Sequence, residues 1–353
     1  MELTKEDTQK AKGVAILGMV MLHLFCHLGD LLYTPWIWVG ETPLIYYLGL
    51  FGDLCVPIYC FCSGYAHYPQ KERYGPGYSK TIHDKLLRFL TNYWIVVLLF
   101  STIGLLSGNG ETIPGSVQEL LGNLFLYGLS YNGAWWFVAT YVFLSVLSPF
   151  FIQLTNKLHP FLTVTLSGAV YFISYLFRFN HPIMLPNAPL NWIWQHMILL
   201  GTSQFGYLIG MVCRRMRLFA KLRALLSAES SMIPVTAAKL GIILLPIVAF
   251  VGHCIVQSAI VAPFTAAATL VCLFTLSQPA WLHHTLLFLG KHSTNIWLVH
   301  MFFYCILFQG LVFEARYPVL ILVFMFTLCI CISCVIRWID QMICGISKTK
   351  NKE

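Results

Sequence analysis

Ten runs of apolar residues, each close to the length that crosses a lipid bilayer, constrain this 353-residue chain more than any other feature. They lie near residues 13–31, 44–67, 89–107, 134–155, 161–178, 192–213, 238–257, 259–276, 293–312 and 317–337. A hydrocarbon core about 30 Å thick takes roughly 20 helical residues, and an isolated span must satisfy its own backbone there. Soluble domains carry about 25% charged residues. This chain carries 10%, with 58% hydrophobic residues and a mean hydropathy of +0.72. The expected fold is an all-α integral membrane protein of about ten transmembrane helices, with residues 1–353 as a single membrane domain. No small-residue cleavage site follows the first run, so it reads as a permanent helix and not a removed signal. Pro246 and Pro263 interrupt the seventh and eighth runs. Gln118–Ser130 is too short to span, so it either lies at the outer interface or dips in beside protein.

Positive charge orients such a chain. With the N-terminus inside, all of the 22 lysines and arginines except Arg178 and Arg316 fall on the cytoplasmic side, including Lys348, Lys350 and Lys352 near the C-terminus. Both termini are therefore expected in the cytoplasm, with the chain in the plasma membrane. The net charge of +8 restates this bias and favours anionic lipid. Nucleic acid is not an expected partner, because the basic residues sit in short loops at helix ends. The twelve cysteines lie mostly within apolar runs, as in Cys60-Phe-Cys62 and Cys329-Ile-Cys331. Their spacing fits neither a zinc site nor a disulfide framework, so free buried thiols and no metal are expected.

Polar groups at membrane depth cost free energy and mark either interhelical hydrogen bonds or function. His23 follows Lys12 by eleven residues, roughly 16 Å of helix, which puts it near mid-membrane if Lys12 marks the inner surface. His27 is expected one turn later on the same face. The second run opens with Asp53 and closes with Ser63-Gly64. The ninth holds Asn295 and His300, with His292-Ser293 at its inner end. Imidazole suits proton transfer because it titrates near neutrality. Lys85-Leu-Leu-Arg88, where the third run begins, puts two cations on one helix face. That pair is either a clamp for a phosphorylated ligand or an ordinary basic flank. Arg214-Arg215-Met-Arg217 with Lys221-Leu-Arg223 reads as such a flank, and Trp135-Trp136-Phe137 as part of an interfacial aromatic belt.

Taken in order, these segments resemble the membrane acyltransferase-3 family. Lys12-Gly13-Val14-Ala15-Ile16-Leu17, with His23 at its fixed interval, is similar to the family's Arg-Gly-x-Ala-Ile opening and histidine. Val56–Tyr65 resembles its second-helix pattern ending in Ser-Gly-aromatic. Lys85-Leu-Leu-Arg88 followed by Tyr93-Trp94 resembles its Arg-x-x-Arg segment. Trp136-Phe137-Val138, running to Pro149, resembles its Trp-Phe helix. Leu289-Gly290-Lys291-His292-Ser293 with Ile296–His300 is similar to its late Gly-Lys-x-Ser and Tyr-Leu-x-His stretch. Lys12 and Lys85 stand where arginine is usual, which keeps charge but loses bidentate geometry. Trp297 replaces the usual tyrosine.

The resemblance implies transfer of an acyl group, usually acetyl, from cytoplasmic acetyl-CoA to a hydroxyl of a saccharide or glycolipid, with no permanently bound cofactor. It implies Lys12, Lys85 and Arg88 against the donor's phosphates and His23 as general base or transient acyl carrier. Asp53 would orient a histidine or share its proton, and His300 would assist. Ser63, Trp136 and Asn295 would bind substrate. A transporter of polysaccharide or of small molecules is the alternative, although no internal repeat of the transporter kind is evident.

Overall fold

The computed structural model describes residues 2–27, 29, 31–227 and 235–350, with the backbone alone for 227 and 344–350. Leu28 and Asp30, expected in the first span, and Lys352 lie outside the described residues, as do the side chains of Lys348 and Lys350. The chain is 82% helical.

The first helix, α1 (Lys5–Phe25), is followed by a hairpin of β1 (Trp38–Val39) and β2 (Thr42–Pro43), with Trp38 opposite Pro43. Next come α2 (Leu44–Leu50), a 3-10 turn (Phe51–Leu54), α3 (Cys55–Tyr74), α4 (Tyr78–Leu106) and α5 (Val117–Leu124). After these run α6 (Trp136–Val146), α7 (Ser148–Lys157), α8 (Pro160–Tyr175) with a π turn (Leu176–Asn180), α9 (Ala188–Arg215) and α10 (Leu218–Ser227). The chain continues with α11 (Val235–Val256), α12 (Ala262–Thr275), α13 (Ala280–Met301) with a second π turn (Phe302–Ile306), α14 (Gln309–Phe313) and α15 (Pro318–Lys350). Two compact units result. The first comprises Met1–Cys26, Leu44–Tyr78 and Thr140–Lys291; the second comprises His27–Pro43, Ser79–Ala139 and His292–Glu353.

Among the described residues, five helical stretches are long and apolar enough to cross a bilayer: Leu44–Leu106, Pro160–Asn180, Ala188–Arg215, Val235–Val256 and Pro318–Ile343. Gly133–Val146 and Ser148–Lys157, bent by 56°, make a sixth if they form one broken span. The bend falls where Pro149 enters the first turn of α7, a position that tolerates its missing N–H. Large apolar side chains stand outward, with Leu106 84%, Ile255 77% and Phe161 75% exposed, a surface that suits lipid and not water.

Local chemistry moves two helices from their expected places. Thr4 Oγ1 accepts from the Asp7 N–H while the Asp7 carboxylate accepts from the Thr4 N–H, and this capping box starts α1 at Lys5, not at residue 13. The helix then stops at Phe25, so His27 lies beyond its end and not a turn above His23. Likewise α13 starts at Ala280, which places Lys291 and His292 in mid-helix instead of at an inner end. Pro246 is carried inside α11, and Pro263 occupies the first turn of α12. The expected short segment is α5 and the loop after it; Tyr93 of α4 donates to the Asn123 carbonyl at 2.6 Å and Trp94 to the Leu124 carbonyl at 3.0 Å.

In the first unit, α3 packs along α9 so closely that a Cβ on Gly64 would overlap the Tyr207 carbonyl, and one on Gly210 the Phe61 carbonyl. With Gly206 this is the small-residue seam that lets membrane helices touch backbone to backbone. At one end of the unit, the basic end of α9 and the segment after it fold onto acidic residues of the N-terminus. Arg214 Nη1 lies 3.1 Å from Glu2 Oε2, Arg217 Nε 3.3 Å from Glu2 Oε1, and Arg223 Nη2 3.0 Å from Asp7 Oδ2. Burial pushes the Asp7 carboxyl upward, but bonds from the Thr4 N–H and Arg223, with Lys10 nearby, hold it below its ordinary value of 3.8.

Candidate active site

The second unit gathers the groups on α4, α13 and α15. Lys85, Arg88 and Asn92 follow one another on one face of α4, with both cations exposed. Asn92 Nδ2 donates to Asn295 Oδ1 at 2.7 Å, and Asn295 Nδ2 donates to Ser333 Oγ at 3.0 Å. Ser333 Oγ also lies 2.9 Å from His292 Nδ1. Asn295, His292 and Ser333 are all buried, so these bonds replace the water that each group gives up.

Two residues past Asn295 on α13, Trp297 Nε1 donates to the Ala134 carbonyl at 3.2 Å, and its ring lies parallel to Phe89 with centroids 6.3 Å apart. The Leu298 carbonyl accepts from Asn132 Nδ2 and Trp135 Nε1, both at 3.0 Å, just before the helix widens into its π turn. His300 is fully buried with Nδ1 2.7 Å from the Trp297 carbonyl. A carbonyl only accepts, so Nδ1 carries a proton, and in the neutral ring Nε2 is then the atom with the lone pair that a base needs. Trp136 is half-buried with its ring edge-on to Phe137 at 5.5 Å. Its neighbour Trp135 is fully buried and hydrogen-bonded to the Leu298 carbonyl.

In the first unit, His23 occupies the last turn of α1 and is half-buried. Lys12, also half-buried, is within electrostatic reach of Cys62 on α3. Ser63 Oγ donates to the Tyr59 carbonyl of its own helix at 2.9 Å. Asp53 sits on the 3-10 turn between α2 and α3, where its Oδ2 lies 3.4 Å from Nε2 of His253 on α11.

A family model described as an acyltransferase domain matches residues 11–338. The chain belongs to the membrane acyltransferase-3 family. No curated protein and no solved structure gives a match.

Every candidate site residue of this acyltransferase, from Lys12 to Ser333, lies within the matched stretch. Acyl transfer to a hydroxyl needs a base for the hydroxyl proton and groups that hold the donor. The acyltransferase carries histidines and cations among its candidate residues. Lys12, His23, Asp53 and Ser63 belong to its first unit, and Lys85, Arg88, Trp136, Asn295 and His300 to its second. Three partners escape a reading of the motifs: Asn92, Ser333 and His253. His253 satisfies the rule that singled out His23, since it is an ionisable residue within an apolar run. Asn92 follows Arg88 by one helical turn, a spacing that places it on the same face as the basic pair.

Proposed function

We propose that this membrane acyltransferase carries an acetyl group from cytoplasmic acetyl-CoA to a hydroxyl of a cell-surface or lipid-linked saccharide. It would work in the plasma membrane through ten crossings, with both termini in the cytoplasm. The observation that carries the reading is the family match over residues 11–338, which contains both the Lys12 to His23 interval and the Lys85/Arg88 pair. Lys12, Lys85 and Arg88 meet the donor's phosphates. His23 takes the acceptor's hydroxyl proton as the oxygen bonds to the acyl carbon. The carbon–sulfur bond then breaks, and coenzyme A leaves as the thiolate and takes up a proton. His300, Asn295, Ser63 and Trp136 support binding and proton placement.

Purified protein supplied with radiolabelled acetyl-CoA and a surface-saccharide extract tests this. His23→Ala should abolish label transfer while circular dichroism keeps its helical signal; a variant that retains the wild-type rate would remove His23 from the mechanism. One feature also suits a transporter: Asp53 is an acid within the second apolar run, where the helix tightens into a 3-10 turn, and intramembrane acids mark transport pathways. Saccharide flux across vesicles that ignores acetyl-CoA would favour that reading.

A further inference from the structure

α11 is an apolar helix turned outward along nearly its whole length, and His253 is its one buried residue. Only 1% of His253 is exposed, and neither ring nitrogen has a hydrogen-bond partner. What it meets is the Asp53 carboxylate at 3.4 Å, a distance that attracts charge without the alignment of a hydrogen bond. A buried imidazole left in that condition calls for a reason beyond packing.

Exposure decides which of the two faces a ligand. Asp53 keeps 19% of its side chain open while His253 lies behind it at 1%. α2 covers seven residues before the 3-10 turn, roughly 10 Å of helix, so Asp53 stands well inside the second apolar run. A carboxylate turned toward lipid at such a depth is among the costliest placements a membrane protein can make. The open part of Asp53 therefore faces water or a polar ligand.

The surroundings define that ligand's chemistry. Arg178, on the π turn that ends α8, is within electrostatic reach of Asp53 and donates to Thr202 Oγ1 at 3.2 Å. Tyr46, Cys26 and Tyr171 are within the same reach of the carboxylate. Asp53 and Arg178 balance in charge, so the place suits a neutral, hydroxyl-rich molecule and not a cation. It lies at the C-terminal ends of α1, α8 and α11, at the opposite end of α1 from the Glu2–Arg214 contact.

We propose that Asp53 is the hydroxyl-binding carboxylate of an acceptor-sugar subsite, with His253 its positioning residue. The sugar's hydroxyls donate to the open carboxylate oxygen, while His253 backs the carboxylate from behind, 3.4 Å from Oδ2. This rests on the acyl-transfer reading for the class of acceptor.

The test is ligand-induced thermal shift of the full-length protein in lipid nanodiscs, with free hexoses and acetyl-CoA added separately. The wild type should shift with at least one hexose. Asp53→Asn should weaken hexose binding by about tenfold or more, as expected for the loss of a charge-assisted hydrogen bond, while the acetyl-CoA shift persists and reports a folded protein. His253→Gln should lose less, and Asp53→Glu should recover part of the binding; these two carry the comparison if Asp53→Asn does not fold. A wild type that ignores every hexose, or an Asp53→Asn protein that binds them normally, overturns the subsite. Hexose binding without any response to acetyl-CoA would overturn the acyl-donor reading alone.

Discussion

Asn295 joins a half-buried neighbour to a buried one: its oxygen accepts from Asn92 and its amide donates to Ser333. Asn295→Ala would remove both bonds, leaving Ser333 with His292 and the Asn92 amide without this acceptor, so a loss of about 1–3 kcal/mol is expected, read as a lower midpoint in chemical denaturation. Asp7 sets a pH dependence. Its folded pKa lies below the ordinary 3.8, so its contribution is complete above that value and is lost as pH falls through the lower folded one. Asp7→Asn should therefore flatten the thermal stability profile on the acid side, leaving the neutral side parallel to the wild type. Single residues of this kind are unevenly legible. Asn295 and Asp53 stand out because polar groups in apolar runs are expensive, whereas Ser333 and Asn92 are small enough to pass as ordinary helix residues. His253 was readable by the same rule as His23, but it does not belong to any of the motifs.

Apolar length alone finds where helices are and says little about where they stop. The start of α1 is governed by Thr4 and Asp7, two polar residues invisible to hydropathy, and its expected start was late by eight residues for that reason. Lys291 likewise looked like a boundary charge, yet helix runs through it from Ala280. The seam between α3 and α9 is partly legible, since Gly206 and Gly210 have the spacing of a membrane contact; Gly64 opposite them needs the coordinates. Gly210→Val would drive a side chain into the Phe61 carbonyl, whereas a Cβ on Gly241 meets nothing within 4 Å. Overpacking costs typically 1–3 kcal/mol, so Gly210→Val should lower the folded yield in detergent while Gly241→Val leaves it unchanged. Equal yields would argue that the seam is looser than its carbonyl contacts imply.

For the molecule as a whole, contacts between the N-terminus and the segment after α9 put the two on one side of the first unit. Cysteines placed at the exposed Glu6 and Lys221, in a background free of other cysteines, should respond alike to an impermeant reagent on sealed vesicles. Labelling of one and protection of the other would break the even number of crossings on which ten spans rest. The family and helical class were readable because motif order and hydropathy are linear properties of a chain. The division into two compact units is not, for α6 and α13 each contribute to both without a break in pattern.

α11 buries a single side chain, so it brings its own unit almost no core of its own. Surrounding acyl chains are as apolar as its outward face and compete with protein for it on nearly equal terms. The bilayer's thickness and order, more than the neighbouring helices, then govern how firmly this wall is moored. Thinning the lipid of a nanodisc should raise amide hydrogen exchange along α11 before it does so along α9, whose glycines grip α3.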